Sequence, residues 1–397
     1  MKPKKISEIG EVIKGVSFDK GEAIKSPSKN YVPILRAGNI TYSGLDLVND
    51  IMWVPQQRVS NNQMLRQNDI VICMSSGSAT VLGKNAQLQQ LWEGSVGAFC
   101  AIIRFRNGVN PKYGSYWLKS PAFIQWRDSQ AKGANIQNLR KSSVEELEIP
   151  LPHLAEQERI VCLLDEAEQL RKLRSQASER MEEFVPALFY KMFGDPASPN
   201  FPTKKLHEVA EVVSGVAKGR KFNGQKSVTV NYLRVANVQA GYLDLSEIKT
   251  IEALPGEVEA LQVKVGDILL TEGGDFDKLG RGAMLEVDLP NCIHQNHVFR
   301  ARVNQDYLVP DFFHDFLQTQ QAKNYFLSCA KKTTNLASIN LTQLRALPVP
   351  LPPLDLQRQF AQRVQEAREI GASQAQSAER IEALYQSMLS RAFAGEL

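Results

Sequence analysis

The chain is written twice. Leu147-Glu148-Ile149-Pro150-Leu151-Pro152-His153-Leu154 returns, 200 residues later, as Leu347-Pro348-Val349-Pro350-Leu351-Pro352-Pro353-Leu354. A long charged run follows each block. The first ends in Lys191-Met192-Phe193-Gly194-Asp195, the second in Arg391-Ala392-Phe393-Ala394-Gly395-Glu396-Leu397. A repeat of 200 in 397 residues leaves room for two tandem copies and little else. Each copy is long enough to bury a core of its own.

The segments before the blocks repeat as well. Lys5-Ile6-Ser7-Glu8-Ile9-Gly10-Glu11-Val12 corresponds to Lys205-Leu206-His207-Glu208-Val209-Ala210-Glu211-Val212. Leu35-Arg36-Ala37-Gly38-Asn39-Ile40 corresponds to Leu233-Arg234-Val235-Ala236-Asn237-Val238, and Asn68-Asp69-Ile70-Val71-Ile72 to Gly266-Asp267-Ile268-Leu269-Leu270. Asp69 to Met74 and Phe99 to Phe105 are compact apolar runs that predict buried strands, with Ser75-Ser76-Gly77-Ser78 breaking the first. Residues 5–14 predict a short helix or strand entry. Pro111 to Ser129 predicts a helix with proline near its start. Its aromatic residues Tyr113, Tyr116, Trp117, Phe123 and Trp126 fall at helical spacing and point to core. Lys132 to Asn138 reads as a polar loop. Residues 75–80 share little with 271–278, and residues 88–96 share little with 290–297. One scaffold with two sets of loops implies one task performed on two targets.

The charged runs predict long helices. In the first, Ile160, Leu163, Ala167, Leu170, Ala177, Met181, Phe184 and Leu188 are spaced by 3, 4, 3, 7, 4, 3 and 4, a heptad seam with Arg174 in its gap. In the second, Phe360, Val364, Ala367, Ile370, Ile381, Leu384 and Met388 follow, with Gln374 at the position of Arg174. Each helix is a rod of roughly 50 Å, and Pro186 is placed to kink the first. Pairing with each other in antiparallel fashion hides both stripes and sets the globular units at opposite ends. The alternative is that each helix packs on its own unit.

The fold class expected is therefore α+β: two tandem mixed α/β domains separated by two long helices that form an antiparallel coiled coil. The boundaries are 1–150 for the first domain, 151–196 for the first helix, 197–350 for the second domain and 351–397 for the second helix.

Composition narrows the chemistry. Hydrophobic residues make up 43% and charged residues 23%, ordinary for a globular protein, and the net charge of +4 permits a nucleic-acid partner without requiring one. The five cysteines are scattered without C-x-x-C spacing, which predicts free thiols in a reducing cytoplasm. No apolar run has the length of a signal peptide or a membrane span. His294-x-x-His297 lacks a third metal ligand at a convincing spacing. No phosphate-binding glycine loop and no nucleophile elbow occurs.

The duplicated Leu-Pro blocks, Gln157 and Gln357 at the helix starts, and the Met192-Phe193-Gly194-Asp195-Pro196 and Ala392-Phe393-Ala394-Gly395-Glu396-Leu397 endings together resemble the specificity subunit of a type I restriction–modification system. The Gly266-Asp267-Ile268-Leu269 strand entry fits too. The resemblance covers essentially the whole chain. It implies two target recognition domains, each reading one half of a split sequence in double-stranded DNA. It implies helices that set the half-site separation and dock two modification (methyltransferase) subunits, through which restriction (translocase and endonuclease) subunits join. S-adenosylmethionine, ATP and Mg²⁺ then belong to those partners and none to this chain. The Asn/Asp-Pro-Pro-Tyr/Phe motif of an adenine methyltransferase is absent, in keeping with a non-catalytic subunit.

On that reading the non-repeated loops contact DNA, since bases are read by donors and acceptors and phosphates by cations. In the first domain the residue types point to Ser75, Ser76, Ser78, Lys84, Lys132, Asn135 and Gln137. In the second they point to Lys218, Arg220, Lys221, Glu272, Asp275, Lys278, Arg281, Gln295, Asn296, His297, Lys331 and Lys332. Glu272 or Asp275 could accept from cytosine or hold a nearby arginine. Arg36 and Arg234 occupy equivalent positions, so a scaffold role or a phosphate contact suits them better than base reading. Two other readings stay open: a structural dimerisation module without DNA contacts, and a chain that itself adds catalysis.

Overall fold

The two Leu-Pro blocks become edge ladders, where the missing N–H groups of their prolines do least harm. Glu148–Leu151 pairs antiparallel with Lys2–Lys5, and Pro348–Pro350 with Thr203–Lys205. The structure, a computed structural model, describes residues 2–19, 21–41, 44–78, 80–130, 137–194, 201–274, 279–332 and 337–397. Its contacts divide the chain into two compact units. One comprises Met1–Ser175 with Gln376–Leu397, the other Gln176–Ala375. Each unit thus takes half of each long helix.

In the first unit a four-stranded antiparallel sheet runs in the order Gly10–Lys14, Cys100–Phe105, Ile70–Cys73, Asn85–Gln87. Its central strands are apolar without alternation because both faces are covered. Ile70, Ile72, Ala101 and Ile103 face the main core, while Val71, Cys73, Cys100 and Ile102 face a smaller one. In the second unit the order is Ala210–Ser214, Val298–Val303, Ile268–Thr271, Gly282–Met284. Ile268, Leu270, Phe299 and Ala301 face the main core there, and Leu269 and Val298 the smaller one. A three-stranded sheet accompanies each: Ser95–Val96, Tyr31–Leu35, Met52–Pro55 in one unit and Cys292–His294, Val228–Leu233, Lys249–Ala253 in the other. The turn into the central strand is pinned alike in both. Arg104 donates to buried Asp69 at 2.8 and 2.7 Å, and Arg302 to buried Asp267 at 2.7 and 2.8 Å. Asn68 and Gly266 supply the left-handed backbone just before those aspartates, with φ of 75° and 88°.

Residues 5–14 contain both elements the sequence suggested, the helix Ile6–Ile9 and the strand Gly10–Lys14. The single helix expected from Pro111 to Ser129 is two, Pro111–Trp117 and Pro121–Gln130. Pro121 restricts the residue before it to extended backbone, which ends the first helix. Thr319 makes the matching break, its hydroxyl accepting from Ala322 N at 3.4 Å to start Gln320–Cys329. Tyr113, Tyr116, Trp117 and Phe123 are buried in the main core, and Trp126 packs against it.

The central helix, Leu154–Phe193, continues unbroken through Pro186, and the C-terminal helix spans Leu354–Ala394. In the first unit residues 154–175 and 376–394 run antiparallel. Arg159 donates to Leu397 O at 2.6 Å, and Arg171 to Glu382 at 2.6 Å, with its guanidinium 4.2 Å from the Tyr385 ring centroid. In the second unit residues 176–193 meet 354–375 in the same sense. Phe189 stands edge-on to Phe360 at 5.5 Å, and eight residues earlier Met181 lies beside Gly371, 3.5 Å from where a Cβ there would stand.

The buried stripe differs from the expected seam. Ile160, Ala167, Leu188, Phe360, Val364 and Ala367 are buried, and Leu163, Ala177, Met181, Ile381 and Met388 are half-buried. Leu170, Phe184, Ile370 and Leu384 are 52, 45, 53 and 54% exposed. In their place Val161, Leu164, Phe189, Phe193, Tyr385, Leu389 and Ala392 are buried. A two-helix heptad accounts for one contact face. Here each helix half also packs on the α/β body of its unit, which shifts and widens the buried face. Phe393 lies on Tyr113 at 5.2 Å in the first unit, and Phe193 on Phe312 at 4.7 Å in the second.

Candidate nucleic-acid interface

One end of each main sheet is tied to the long helices. At that end of the first unit, buried Gln157 at the start of the central helix accepts from Asn110 N at 2.8 Å. Its amide donates to Gly108 O and Pro152 O at 3.2 and 2.9 Å. Gln357 does the same in the second unit, with Val309 N, Tyr307 O and Pro352 O at 2.8, 3.1 and 2.8 Å. The opposite end of the sheet carries the segments that follow Cys73 in one unit and Thr271 in the other.

In the first unit that free end is formed where Gly10–Lys14 and Ile70–Cys73 finish and Cys100–Phe105 begins. Ser75 and Ser76 are a short strand rather than a loop, paired with Asn138 and Gln137. Ser76 Oγ accepts from Ser78 N at 3.0 Å, and the Ser78 and Thr80 hydroxyls are 2.8 Å apart. Lys84 is half-buried opposite Cys73, whose N–H it accepts at 2.9 Å. Sequence-predicted Ser75, Ser76, Ser78, Lys84 and Gln137 thus meet at one end of one sheet. Lys132 and Asn135 lie outside the described residues, as does the side chain of Gln137.

The second unit gathers its residues at the corresponding end. Gly273–Gly274 pairs with Ala337–Ser338, and a third strand, Lys331–Lys332, joins on the far side. Glu272 N donates to His297 O at 3.0 Å, and the Glu272 carboxylate holds His297 Nδ1. Asn296 Nδ2 is 3.2 Å from His297 Nε2. Gln295 is anchored through its N–H on Leu233 O at 2.9 Å and bridges Val216. Arg281 donates to Gln239 at 3.0 Å. Asp275 and Lys278 lie outside the described residues, as does the side chain of Lys332.

Other predicted residues are placed differently. Lys218 and Lys221 are exposed on the loop after Val216, but Arg220 between them is bound by Glu257 at 2.5 and 2.8 Å. That hydrogen-bonded guanidinium holds the Glu257 carboxyl below its usual range. Arg36 pairs with Asp50, and Arg234 with Glu247 at 2.9 Å. The bond from Arg234 keeps the Glu247 carboxyl low as well. Both arginines sit on a turn closed by a buried asparagine, Asn39 or Asn237, that donates to two backbone carbonyls of the following loop. His294 is buried, with Nδ1 2.6 Å from Val298 O, while its sequence neighbour His297 is exposed on Glu272.

Residue-by-residue reading missed one feature of the free end. In the first unit a cleft of about 690 Å³ opens between Lys14, Ser75, Asn138, Arg140 and Lys141. Its signal in the sequence is Arg140-Lys141 directly after the polar loop, but Lys14 is brought there by topology alone.

Residues 1–183 and 200–383 each match the type I restriction modification DNA specificity domain. Over 99% of its length the chain is 28% identical to the EcoKI specificity subunit of Escherichia coli (strain K12), covering 88% of that protein. It is 27% identical over 99% of its length to the StySPI specificity subunit of Salmonella potsdam, again covering 88%. Among solved structures it resembles the type I restriction–modification S subunit from M. genitalium, at a TM-score of 0.56 and 16% identity, over 99% of this chain and 96% of that one. A chain solved in work on assembly and conformational transition of a type I system aligns at a TM-score of 0.64 and 16% identity, over 100% of this chain and 98% of that one. Two copies of one domain, duplicated down to the buried glutamines that clamp the helix starts, place this chain among the specificity subunits of type I restriction–modification systems, which recognise and do not catalyse.

Proposed function

We propose that the chain reads a split target in double-stranded DNA, one half-site for each recognition domain. The observation that carries this is the gathering of non-repeated polar residues at the same free sheet end of a repeated scaffold. Ser75, Ser76 and Gln137 stand there in one unit, and Glu272, Asn296, His297 and Lys331 in the other. Base edges distinguish sequence through such donors and acceptors, and Lys and Arg on phosphates supply affinity. Of the further candidates, Lys84, Arg281, Lys218, Lys221, Gln295 and Ser78 fit contacts at this end. Lys132, Asn135, Asp275, Lys278 and Lys332 stay candidates by their place in the sequence. Arg220, Arg36 and Arg234 act as braces that shape the loops.

In this reading residues 1–150 and 197–350 are the readers, and helices 151–196 and 351–397 form a coiled-coil spacer that fixes the gap. The helices also dock two modification subunits, and restriction subunits join through these. Docking is supported by large apolar side chains left uncovered on the helices: Leu170, Leu173 and Leu384 in the first unit, Phe184 and Ile370 in the second. Exposed apolar residues grouped this way mark partner surfaces. S-adenosylmethionine, ATP and Mg²⁺ serve the partner subunits, and the complex works in the cytoplasm.

Domain exchange tests the assignment. Replacing residues 1–150 with the same unit of a relative is expected to change one half of the methylated sequence and leave the other. A change in both halves contradicts one reader per half-site. Loss of all duplex binding at low salt, with the modification subunits present, supports a structural module instead.

A further inference from the structure

The cleft at the free end of the first unit is walled by parts of the scaffold that the sequence loops do not include. Lys14 closes the strand Gly10–Lys14, and Arg140 and Lys141 lie where the Gln137–Asn138 strand passes into the helix Lys141–Glu145. Ser75 and Asn138, partners in the short ladder, complete the rim. Three cations share the cleft with one carboxylate, Glu145, and that carboxylate is engaged by Lys141 at 3.3 Å. Among the described residues nothing pairs with the Lys14 ammonium or the Arg140 guanidinium, and both residues are exposed. Two uncompensated cations beside a rim of hydroxyl and amide groups make a seat for an anionic oxygen.

The second unit lacks this seat. At the position of Lys14 it has Ser214, whose hydroxyl is spent on Asn296 O at 2.8 Å. At the position of Arg140 it has Asn340, which caps the following helix by accepting from Gln343 N at 2.9 Å, and Leu341 replaces Lys141.

We infer that Lys14 and Arg140 hold backbone phosphates of the DNA duplex against the first recognition domain, with Lys141 beside them. The seat positions the duplex over the Ser75–Ser76 rim and carries no sequence information. This assignment rests on the proposed reading of DNA by the chain. It adds a grip on the backbone by Lys14 and Arg140, where the second domain has Ser214 and Asn340.

The test uses the full complex with its modification subunits. The probes are a duplex bearing the sequence that the complex methylates in cells and a scrambled duplex of equal length. Dissociation constants are measured across salt for the wild type, for Lys14→Gln with Arg140→Gln, and for the charge-preserving Lys14→Arg with Arg140→Lys. Each lost phosphate contact lowers the slope of log affinity against log salt by about 0.9. The double glutamine variant is expected to lower it by about 1.8 on both duplexes, with the methylated sequence unchanged and the charge-preserving variant close to wild type. An unchanged slope overturns the phosphate seat while leaving the DNA-reading assignment intact. A slope that falls together with a changed methylated sequence overturns it too, because the residues then read bases. Wild-type complex that binds neither duplex removes both assignments together.

Discussion

Gln157 and Gln357, 200 residues apart in the chain, make the same three hydrogen bonds. Each accepts from the backbone N–H just before a proline-initiated helix and donates to two carbonyls, one of them from the Leu-Pro block. Both are fully buried. A buried amide can be kept only if its groups are satisfied. A glutamine in this place therefore locks three chain segments in one geometry, and the lock sets how each long helix leaves its recognition domain.

Replacing Gln157 with Leu leaves Asn110 N, Gly108 O and Pro152 O without that partner. The expected loss is about 2 kcal/mol of stability for the lost hydrogen bonds and stranded backbone groups, measured by urea unfolding. Gln357→Leu should lose a similar amount.

The seam between domain and helix has opposite polarity in the two units. In the first, Lys112 and Tyr116 on the domain meet Asp165 on the helix at 2.8 and 2.5 Å, and Tyr116 also meets Glu168 at 2.9 Å. In the second, Asp311 on the domain faces Arg368 on the helix at 3.5 Å. Lys112→Asp is expected to destabilise the protein and Asp165→Lys in the same chain to recover much of the loss. The coupling in the double-mutant cycle should be about 1 kcal/mol or less, because the pair is partly exposed. A cycle with no coupling contradicts a charge key at this seam.

His294 gives the second unit a dependence on acid that comes from a buried imidazole. Burial holds its pKa down to about 4, against an ordinary value of 6.5. The unfolded chain therefore binds a proton before the folded one does as pH falls. Stability from this group is complete above about 6.5 and declines toward pH 4 by up to about 1.4 kcal/mol per pH unit. The matching residue of the first unit is Val96. His294→Val should flatten the decline between pH 6.5 and 5 in urea unfolding, whatever its effect at pH 7.

Phe393 is expected to matter more than its place near the chain end suggests. It is 9% exposed and packs on Tyr113 at 5.2 Å. Phe393→Ala should cost about 3 kcal/mol by removing a buried aromatic side chain, whereas truncating exposed Leu384 should cost little in the isolated chain. If Leu384→Ala instead weakens retention of the modification subunit in a pull-down, that surface belongs to the partner.

How legible all this was depends on what each residue answers to. The buried strands could be read because Ile70-Val71-Ile72-Cys73 and Ile268-Leu269-Leu270 are apolar on both faces, a pattern set by local sequence. The repeat could be read because the scaffold residues Asp69 and Asp267, and Gln157 and Gln357, keep their identity. The helix face was harder. The heptad takes one neighbour per helix, and Leu170 and Ile370 fit it, yet Val161, Leu164 and Phe189 are buried by a third body the periodicity does not encode. At the free sheet end, polar loop residues announced themselves by type. Lys14 did not, because an isolated lysine at a strand end acquires meaning only when the sheet order brings it beside Ser75 and Arg140.

The central claim is one half-site per domain at a fixed separation, and long-read sequencing of methylated DNA tests it most directly. The chain is co-expressed with its modification subunit in a host without other adenine methylation. The account predicts a split motif, two short specified halves around an unspecified gap of constant length. A single uninterrupted motif, or two halves at varying distance, contradicts it.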